Sequence, residues 1–266
     1  MSHSTNNRRE RILAQVYQRG HVAVKDLAAE MGVSEATIRR DLRAMAGENQ
    51  VELIHGGATL RRKDDFSFRS KAMRNVEGKK VVGRLAAGLV GDDEQVFLDS
   101  GTTCFQMAPL LKGKRNLSVI VNSARLALEL AEAPGLSIIT LGGHYRPDRM
   151  DTVGPLAATT LDQLRGYLAF VGADGLSMDF GPTANDVESA YLNRLAVRHA
   201  RETILVVDHS KFLTPSLFKI VDWDAVKRIV TDRPPPQEWA EFLRARGIQA
   251  ISPEGAAVAS AQTDQQ

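Results

Sequence analysis

Gly20-His21-Val22-Ala23-Val24-Lys25-Asp26-Leu27-Ala28-Ala29-Glu30-Met31-Gly32-Val33-Ser34-Glu35-Ala36-Thr37-Ile38-Arg39-Arg40-Asp41-Leu42 reads as a helix, a tight turn at Gly32 and a second helix opened by Ser34. A serine at that position accepts a hydrogen bond from a free backbone N–H of the first turn, and Glu35 suits the positive end of the helix dipole. In the second helix Ile38, Leu42 and Met45 recur at i, i+4, i+7 and form one apolar face, leaving Thr37, Arg39, Arg40 and Arg43 pointing away from it. A short helix with a dry back and an arginine-rich front, behind a glycine turn, is what a helix-turn-helix lays in a DNA major groove. The competing reading is an amphipathic hairpin with a solvated charged face. Val51 to Leu60 weighs against it: two short strands around the Gly56-Gly57 turn form a β-hairpin wing beside the second helix. The expected core of this head is Ile12, Leu13, Val16, Leu27, Ile38, Leu42 and Ile54.

Ser34-Glu35-Ala36-Thr37-Ile38-Arg39-Arg40-Asp41-Leu42, followed by His55-Gly56-Gly57-Ala58, resembles the N-terminal signature of the DeoR family of bacterial transcription regulators. One departure is Leu53, where the family usually has a basic residue. On this reading Ser34, Glu35, Thr37, Arg39, Arg40, Arg43 and His55 face double-stranded operator DNA. Charge is distributed accordingly. Residues 1–63 hold 11 Lys/Arg against 7 Asp/Glu, and the remainder 23 against 25. The positive excess therefore sits on the piece that would meet phosphates.

The rest of the 266 residues bounds the alternatives. No apolar run is long enough for a membrane span, and the polar start Met1-Ser2-His3-Ser4-Thr5-Asn6-Asn7-Arg8-Arg9 lacks the apolar core of a signal peptide, so the expected location is cytoplasmic. The single cysteine, Cys104, excludes an internal disulfide framework and reads as a small buried residue. The six histidines show no metal-ligand spacing, and neither a cofactor nor a catalytic set is expected.

After a first helix from Asn7 to Arg19, the helix-turn-helix and the wing, the charged run Arg61-Arg62-Lys63-Asp64-Asp65 marks a domain boundary. The organisation expected is a winged helix-turn-helix over 1–63, an α/β domain over 64–252 and a disordered tail over 253–266. Within the second domain a long helix from Phe68 to Val90 precedes alternating strands and helices. The strands are Gln95–Asp99, Leu117–Val121, Leu136–Leu141, Tyr167–Gly172, Thr203–Val207, Arg228–Thr231 and Gln249–Ile251. One helix is expected from the loop after the first strand to Leu111, with others over Ser123–Ala131, Pro155–Leu164 and Asp186–Ala200. Short apolar runs alternating with amphipathic helices imply a mostly parallel sheet covered on both faces.

Ligands of such sheets bind at the carboxyl ends of the strands. The loop Asp99-Ser100-Gly101-Thr102-Thr103 offers backbone N–H groups, hydroxyls and a helix start to a small anion, and lacks the Lys of a Walker loop. As a bland alternative it is only a capped helix start. Asn122-Ser123, Gly142-Gly143, Gly172-Ala173-Asp174-Gly175 and Asp208-His209-Ser210-Lys211-Phe212 follow other strands. These loops also resemble the DeoR sensor domain, whose fold is similar to sugar-phosphate isomerases. That resemblance implies a phosphorylated sugar or related metabolite as effector: Ser100, Gly101, Thr102 and Thr103 around the phosphate, Asn122 and Ser123 reaching the same phosphate or the first carbons of the sugar, Gly142 and Gly143 in the same cleft, Asp99 and Asp174 accepting from hydroxyls, and Lys211 as a cation near the phosphate or a hydroxyl. Arg146 and Arg149 either steer the anion or lie solvated, and His209 lines the cleft or does not.

Two function classes follow. One is a repressor of a carbohydrate-catabolism operon that works as a homo-oligomer, dimer or tetramer, and is released by its effector. The other is an isomerase-like enzyme with an accessory DNA-binding domain. The head, which an isomerase does not need, and the absence of a Glu base in the Asp99 and Gly172 loops favour the regulator.

Overall fold

The computed structural model describes residues 3–48, 50–59, 67–212 and 214–253. Two compact units result, Met1–Asn75 and Val76–Gln266. The run 61–65, with the boundary expected at 63/64, and the tail from residue 254 lie outside the described residues.

The first unit runs α1 (His3–Arg19), β1 (His21–Ala23), α2 (Val24–Met31), α3 (Glu35–Gly47), β2 (Glu52–Ile54), β3 (Gly57–Thr59) and α4 (Phe68–Ala72). Gly20 and Gly32 end their helices with φ of 78° and 65°, left-handed backbone that glycine adopts without strain. Ile12, Leu13, Val16, Tyr17, Leu27, Ile38, Leu42, Met45, Val51 and Ala58 close the core. Three expectations need correcting here. The helix-turn-helix is preceded by a strand, β1, which pairs antiparallel with β3 and makes a three-stranded wing sheet. Ile54 is exposed, not core: β2 is the outer strand of that sheet, all three of its residues face solvent, and Val51 and Ala58 supply the packing instead. The wing turn is His55-Gly56, since Ile54 already pairs with Gly57. Gly57 is needed for another reason: a Cβ there would lie 2.0 Å from the carbonyl oxygen of Val22.

The long helix expected over 68–90 is two helices, α4 and α5 (Val76–Ala87), broken at Asn75 with φ of 48°. Residues before the break belong to the head. Arg74 Nε donates to the Tyr17 carbonyl at 3.2 Å, Arg69 lies over the Tyr17 ring, and Met73 packs on the core.

The second unit contains β4 (Gln95–Leu98), α6 (Thr102–Phe105), α7 (Ala108–Leu111), β5 (Leu117–Val121), α8 (Ala124–Leu130), β6 (Leu136–Thr140), β7 (His144–Arg146), β8 (Asp151–Val153), α9 (Pro155–Leu161), β9 (Leu168–Val171), β10 (Gly175–Ser177), β11 (Gly181–Ala184), α10 (Val187–His199), β12 (Glu202–Val206), β13 (Phe218–Lys219), β14 (Arg228–Val230), α11 (Gln237–Ala245) and β15 (Gln249–Ile251). Seven strands form a parallel sheet in the order β15-β14-β12-β9-β4-β5-β6. Alternate residues feed opposite faces. Val96, Leu98, Leu168 and Phe170 enter one core with α5 and α8. Phe97, Ala169 and Val171 enter another with α9 and α10. Strand order reverses between β4 and β9, so the crevice at their carboxyl ends is a topological switch point.

Several elements went unread. The hairpin β7–β8, the small antiparallel sheet β10-β11-β13 and helix α11 have no counterpart in the sequence pattern given above. The helix expected to reach Leu111 is two turns, α6 and α7, separated at Gln106-Met107. With only four residues in α6, hydroxyls and individual N–H groups, not a long helix dipole, are what the loop offers an anion.

Candidate functional site

In the head, Ser34 caps α3 by accepting from Thr37 N at 3.3 Å, and its hydroxyl lies 3.0 Å from that of Thr37. Ser34, Glu35, Arg39, Arg40, Arg43 and the wing's His55 are exposed, and Thr37 is half-buried. Arg39 pairs with Glu35 at 2.7 Å, an exposed i,i+4 bridge worth about 0.3–0.5 kcal/mol and so easily exchanged for another acceptor. Beneath this face lies a residue that sequence reading missed. Asp41 is 2 % exposed and accepts from Arg8 Nε at 2.6 Å and Arg9 Nε at 3.3 Å, tying α3 to α1. We expect Asp41→Asn to cost about 1–3 kcal/mol in urea unfolding, because a buried charged hydrogen bond is weakened while two guanidiniums stay behind. No change in midpoint would show the pair to be energetically idle.

In the second unit the switch point gathers several of the expected residues. Asp99 is 8 % exposed, and its Oδ2 accepts from Gly172 N at 3.1 Å, joining the loops after β4 and β9. A Cβ on Gly101 or Gly172 would stand 2.9 Å from that same oxygen, so both glycines serve close approach to Asp99. Thr102 and Thr103 are buried at the start of α6. Cys104 follows, buried, with its thiol pushed well up by burial and then by the Asp99 carboxylate. This is the environment of an inert packing residue.

The loop after β5 is joined to the hairpin. Asn122 O accepts from Thr152 N at 2.8 Å, and Asn122 Nδ2 donates to Thr152 O at 3.0 Å. Asn122 Oδ1 is buried with no hydrogen-bond partner among the described residues. Ser123 caps α8, accepting from Leu126 N at 3.3 Å, and pairs by a β-bridge with Asp151. Gly143, at φ 133°, backs onto the Val153 carbonyl, where a Cβ would lie 2.5 Å away; Gly142 stands before it with open space around it.

The hairpin brings in residues left open by the sequence. Arg146 is not solvated: its side chain is 14 % exposed, and it holds Asp151 with Nε to Oδ1 at 2.8 Å and Nη2 to Oδ2 at 2.8 Å. Ser100 Oγ donates to that same Oδ2 at 3.1 Å. Arg146 also pairs with Asp186, the N-cap of α10, and Nη2 donates to Ser189 Oγ at 3.0 Å; Arg149 reaches Asp186 at 3.2 Å. Burial works against the Arg146 charge, yet its bonds to Asp151 and Asp186 raise its pKa overall. Burial likewise opposes the Asp186 charge, and Arg146 and Arg149 outweigh it, holding that carboxyl below its usual range.

Asp174 and Lys211 lie on the loops after β9 and β12. Asp174 accepts from Asn185 N at 2.9 Å, supporting the turn into α10. Lys211 sits half-buried on the short 3-10 turn His209–Phe212 after β12. On the same turn His209 gives its backbone N–H to Asp232 at 2.6 Å, with Nδ1 2.8 Å from the other Asp232 oxygen.

Residues 8–64 match the DeoR-like helix-turn-helix domain and residues 74–233 the DeoR C terminal sensor domain. The chain is 32% identical over 241 residues to the lactose phosphotransferase system repressor of Lactococcus lactis subsp. lactis, covering 88% of this chain and 94% of that one. It is 30% identical over 255 residues to the HTH-type transcriptional repressor CsqR of Escherichia coli K12, covering 94% and 96%. It is 28% identical over 239 residues to the glycerol-3-phosphate regulon repressor of the same strain, covering 90% and 95%. Among solved structures a D-ribose-5-phosphate isomerase in complex with phospho-erythronic acid aligns at a TM-score of 0.38 and 19% identity, over 51% of this chain and 53% of that one.

Proposed function

The chain belongs to the DeoR family, making it a DNA-binding transcription regulator and not an enzyme, and from that premise we propose that it represses a carbohydrate-catabolism operon until a phosphorylated sugar enters the switch-point crevice. The observation that supports the effector class is that the loops after β4, β5 and β9 are joined, Asp99 to Gly172 and Ser100 through Asp151 to Ser123, with the half-buried cation Arg146 on that same Asp151 carboxylate. Hydroxyls and a cation suit a phosphate, and buried carboxylate and amide oxygens suit sugar hydroxyls. Two relatives named for a phosphate ester and a phosphotransferase system agree with this class. We place the protein in the cytoplasm with its operator. There it acts as a homodimer or tetramer, because paired recognition helices read half-sites one helical turn, or a multiple, apart.

The test is titration of the protein–operator complex with glycerol 3-phosphate and pentose and hexose phosphates, each against its unphosphorylated counterpart. Release by a phosphorylated compound alone supports the reading, and no response across the panel overturns it.

On the DNA side Ser34, Glu35, Thr37, Arg39, Arg40, Arg43 and His55 are the proposed contacts. Arg40 and Arg43 are exposed and reach no carboxylate among the described residues. Arg40→Ala is expected to weaken operator binding by about 1–3 kcal/mol if it reads a base edge. If it touches phosphate, affinity falls equally on random DNA and the salt slope becomes shallower. Unchanged affinity for alanine variants of Arg39, Arg40 and Arg43 on both DNAs would remove α3 as the reading element.

A further inference from the structure

We propose that Arg146 receives the effector's phosphate and that the carboxylate of Asp151 is a built-in competitor for it, an inference that rests on the crevice reading above. Ser100 Oγ and Arg146 Nη2 converge on a single acceptor, Asp151 Oδ2, at 3.1 Å and 2.8 Å. A hydroxyl and a guanidinium aimed at one anionic oxygen are the donors a phosphate oxygen takes. The carboxylate they hold is 1 % exposed and comes from the hairpin β7–β8, outside the seven-stranded sheet. It also lies against the loop after β5, where Asp151 forms a β-bridge with Ser123. Asp151 thus stands where the two strand-end loops meet, which is where the crevice reading puts the anion.

Charge makes the two anions alternatives. Arg146 and Arg149 are set against Asp151 and Asp186, with Glu188 3.8 Å from Arg146. The cluster already sets three carboxylates against two guanidiniums, so a dianion arriving beside an undisturbed Asp151 meets net repulsion. Taking over the Ser100 and Arg146 contacts relieves it. Because Arg146 also holds Asp186, the N-cap of α10, the exchange is transmitted to the start of that helix. Sequence gave only the cation after a Gly-Gly pair; its partners lie 5 and 40 residues further on.

The experiment titrates inorganic phosphate into the full chain, followed by phosphorus NMR line width, for the wild type, Asp151→Asn, Arg146→Gln and Thr102→Asp. Asp151→Asn keeps the size and removes the competing charge, and is expected to bind phosphate about tenfold more tightly. Arg146→Gln is expected to bind at least about tenfold more weakly, and the Asp151→Asn gain is expected to vanish in its background. Unchanged or weaker phosphate binding in Asp151→Asn, or unchanged binding in Arg146→Gln, overturns the proposal. Should Asp151→Asn fail to fold, Arg146→Gln with its melting temperature retained decides alone. Thr102→Asp separates the two readings. If it leaves phosphate affinity intact, the crevice reading itself falls. If it weakens phosphate while Asp151→Asn gives no gain, the crevice stands and only the competition is wrong.

Discussion

Thr102→Asp is expected to leave this regulator deaf to its effector, with operator affinity within about twofold of wild type and effector affinity lowered at least about 100-fold. Thr102 is 6 % exposed at the first position of α6, beside the loop hydroxyls and close to the buried Asp99 carboxylate. A second carboxylate here faces an incoming phosphate in a site with little water to screen it, where like charges cost several kcal/mol. The volume change is small, but a carboxylate buried here costs stability, so the melting temperature of the variant is read beside the titration to check that the fold is retained. Operator binding is read in the other unit. The phenotype is a permanent repressor if the effector releases DNA, or a permanently silent protein if the effector is needed for binding. Effector titration of the operator complex measures it. An unaltered response would mean that Asp99–Thr103 is a helix cap and the ligand lies elsewhere.

A fragment ending at Asn75 is expected to fold and yet to bind the operator about 100-fold or more weakly than the full chain. Its core is complete without the rest: Ile12, Val16, Leu27, Ile38, Leu42, Met45 and Val51 are buried in one cluster. The end point matters. Met73 packs on that cluster and Arg74 donates to the Tyr17 carbonyl, so a cut at residue 63 would remove α4 and both contacts. Recognition helices on separate fragments lose the effective concentration that a symmetric oligomer gives the second half-site. Gel-shift titration of fragment and full chain on one operator reads the difference, and equal affinity would show that a single head suffices.

Much of this fold was legible because its signals are local. Ser34, the apolar spacing Ile38-Leu42-Met45 and the glycine at 32 specify the second helix without help from elsewhere. The parallel sheet was legible because its strands are covered on both faces, so that Leu117–Val121 and Leu168–Val171 read as short apolar runs. What escaped has no local period. β1, β10 and β13 are two or three residues long, too short to show alternation. Ile54 looked like core because a β-branched residue beside a turn reads the same on either face of a hairpin. Asp41 sits among arginines and looks like part of a solvated face, but its partners lie 33 and 32 residues earlier. The Arg146 cluster is likewise a product of tertiary contact. The strand-end loops could be named from composition, whereas the bond from Gly172 to Asp99 needed the topology.

The reversal of strand order at β4 and β9 also sets a timetable for synthesis. The crevice requires Gly172 to meet Asp99, 73 positions earlier in the chain. Parallel neighbours cannot be joined by a tight hairpin, so this pairing waits until the intervening β5, β6, α8 and α9 have been made. The reading head is finished by Asn75. At about 5–20 residues per second, a nascent chain spends roughly 5–20 s with a whole head and no crevice. A chain whose translation halts in that interval ends as a DNA-binding product with no means of hearing a metabolite. Premature stops between α5 and β9 are therefore expected to behave differently from stops inside the head: the former leave weak, unresponsive occupants of the operator, and the latter leave nothing that binds.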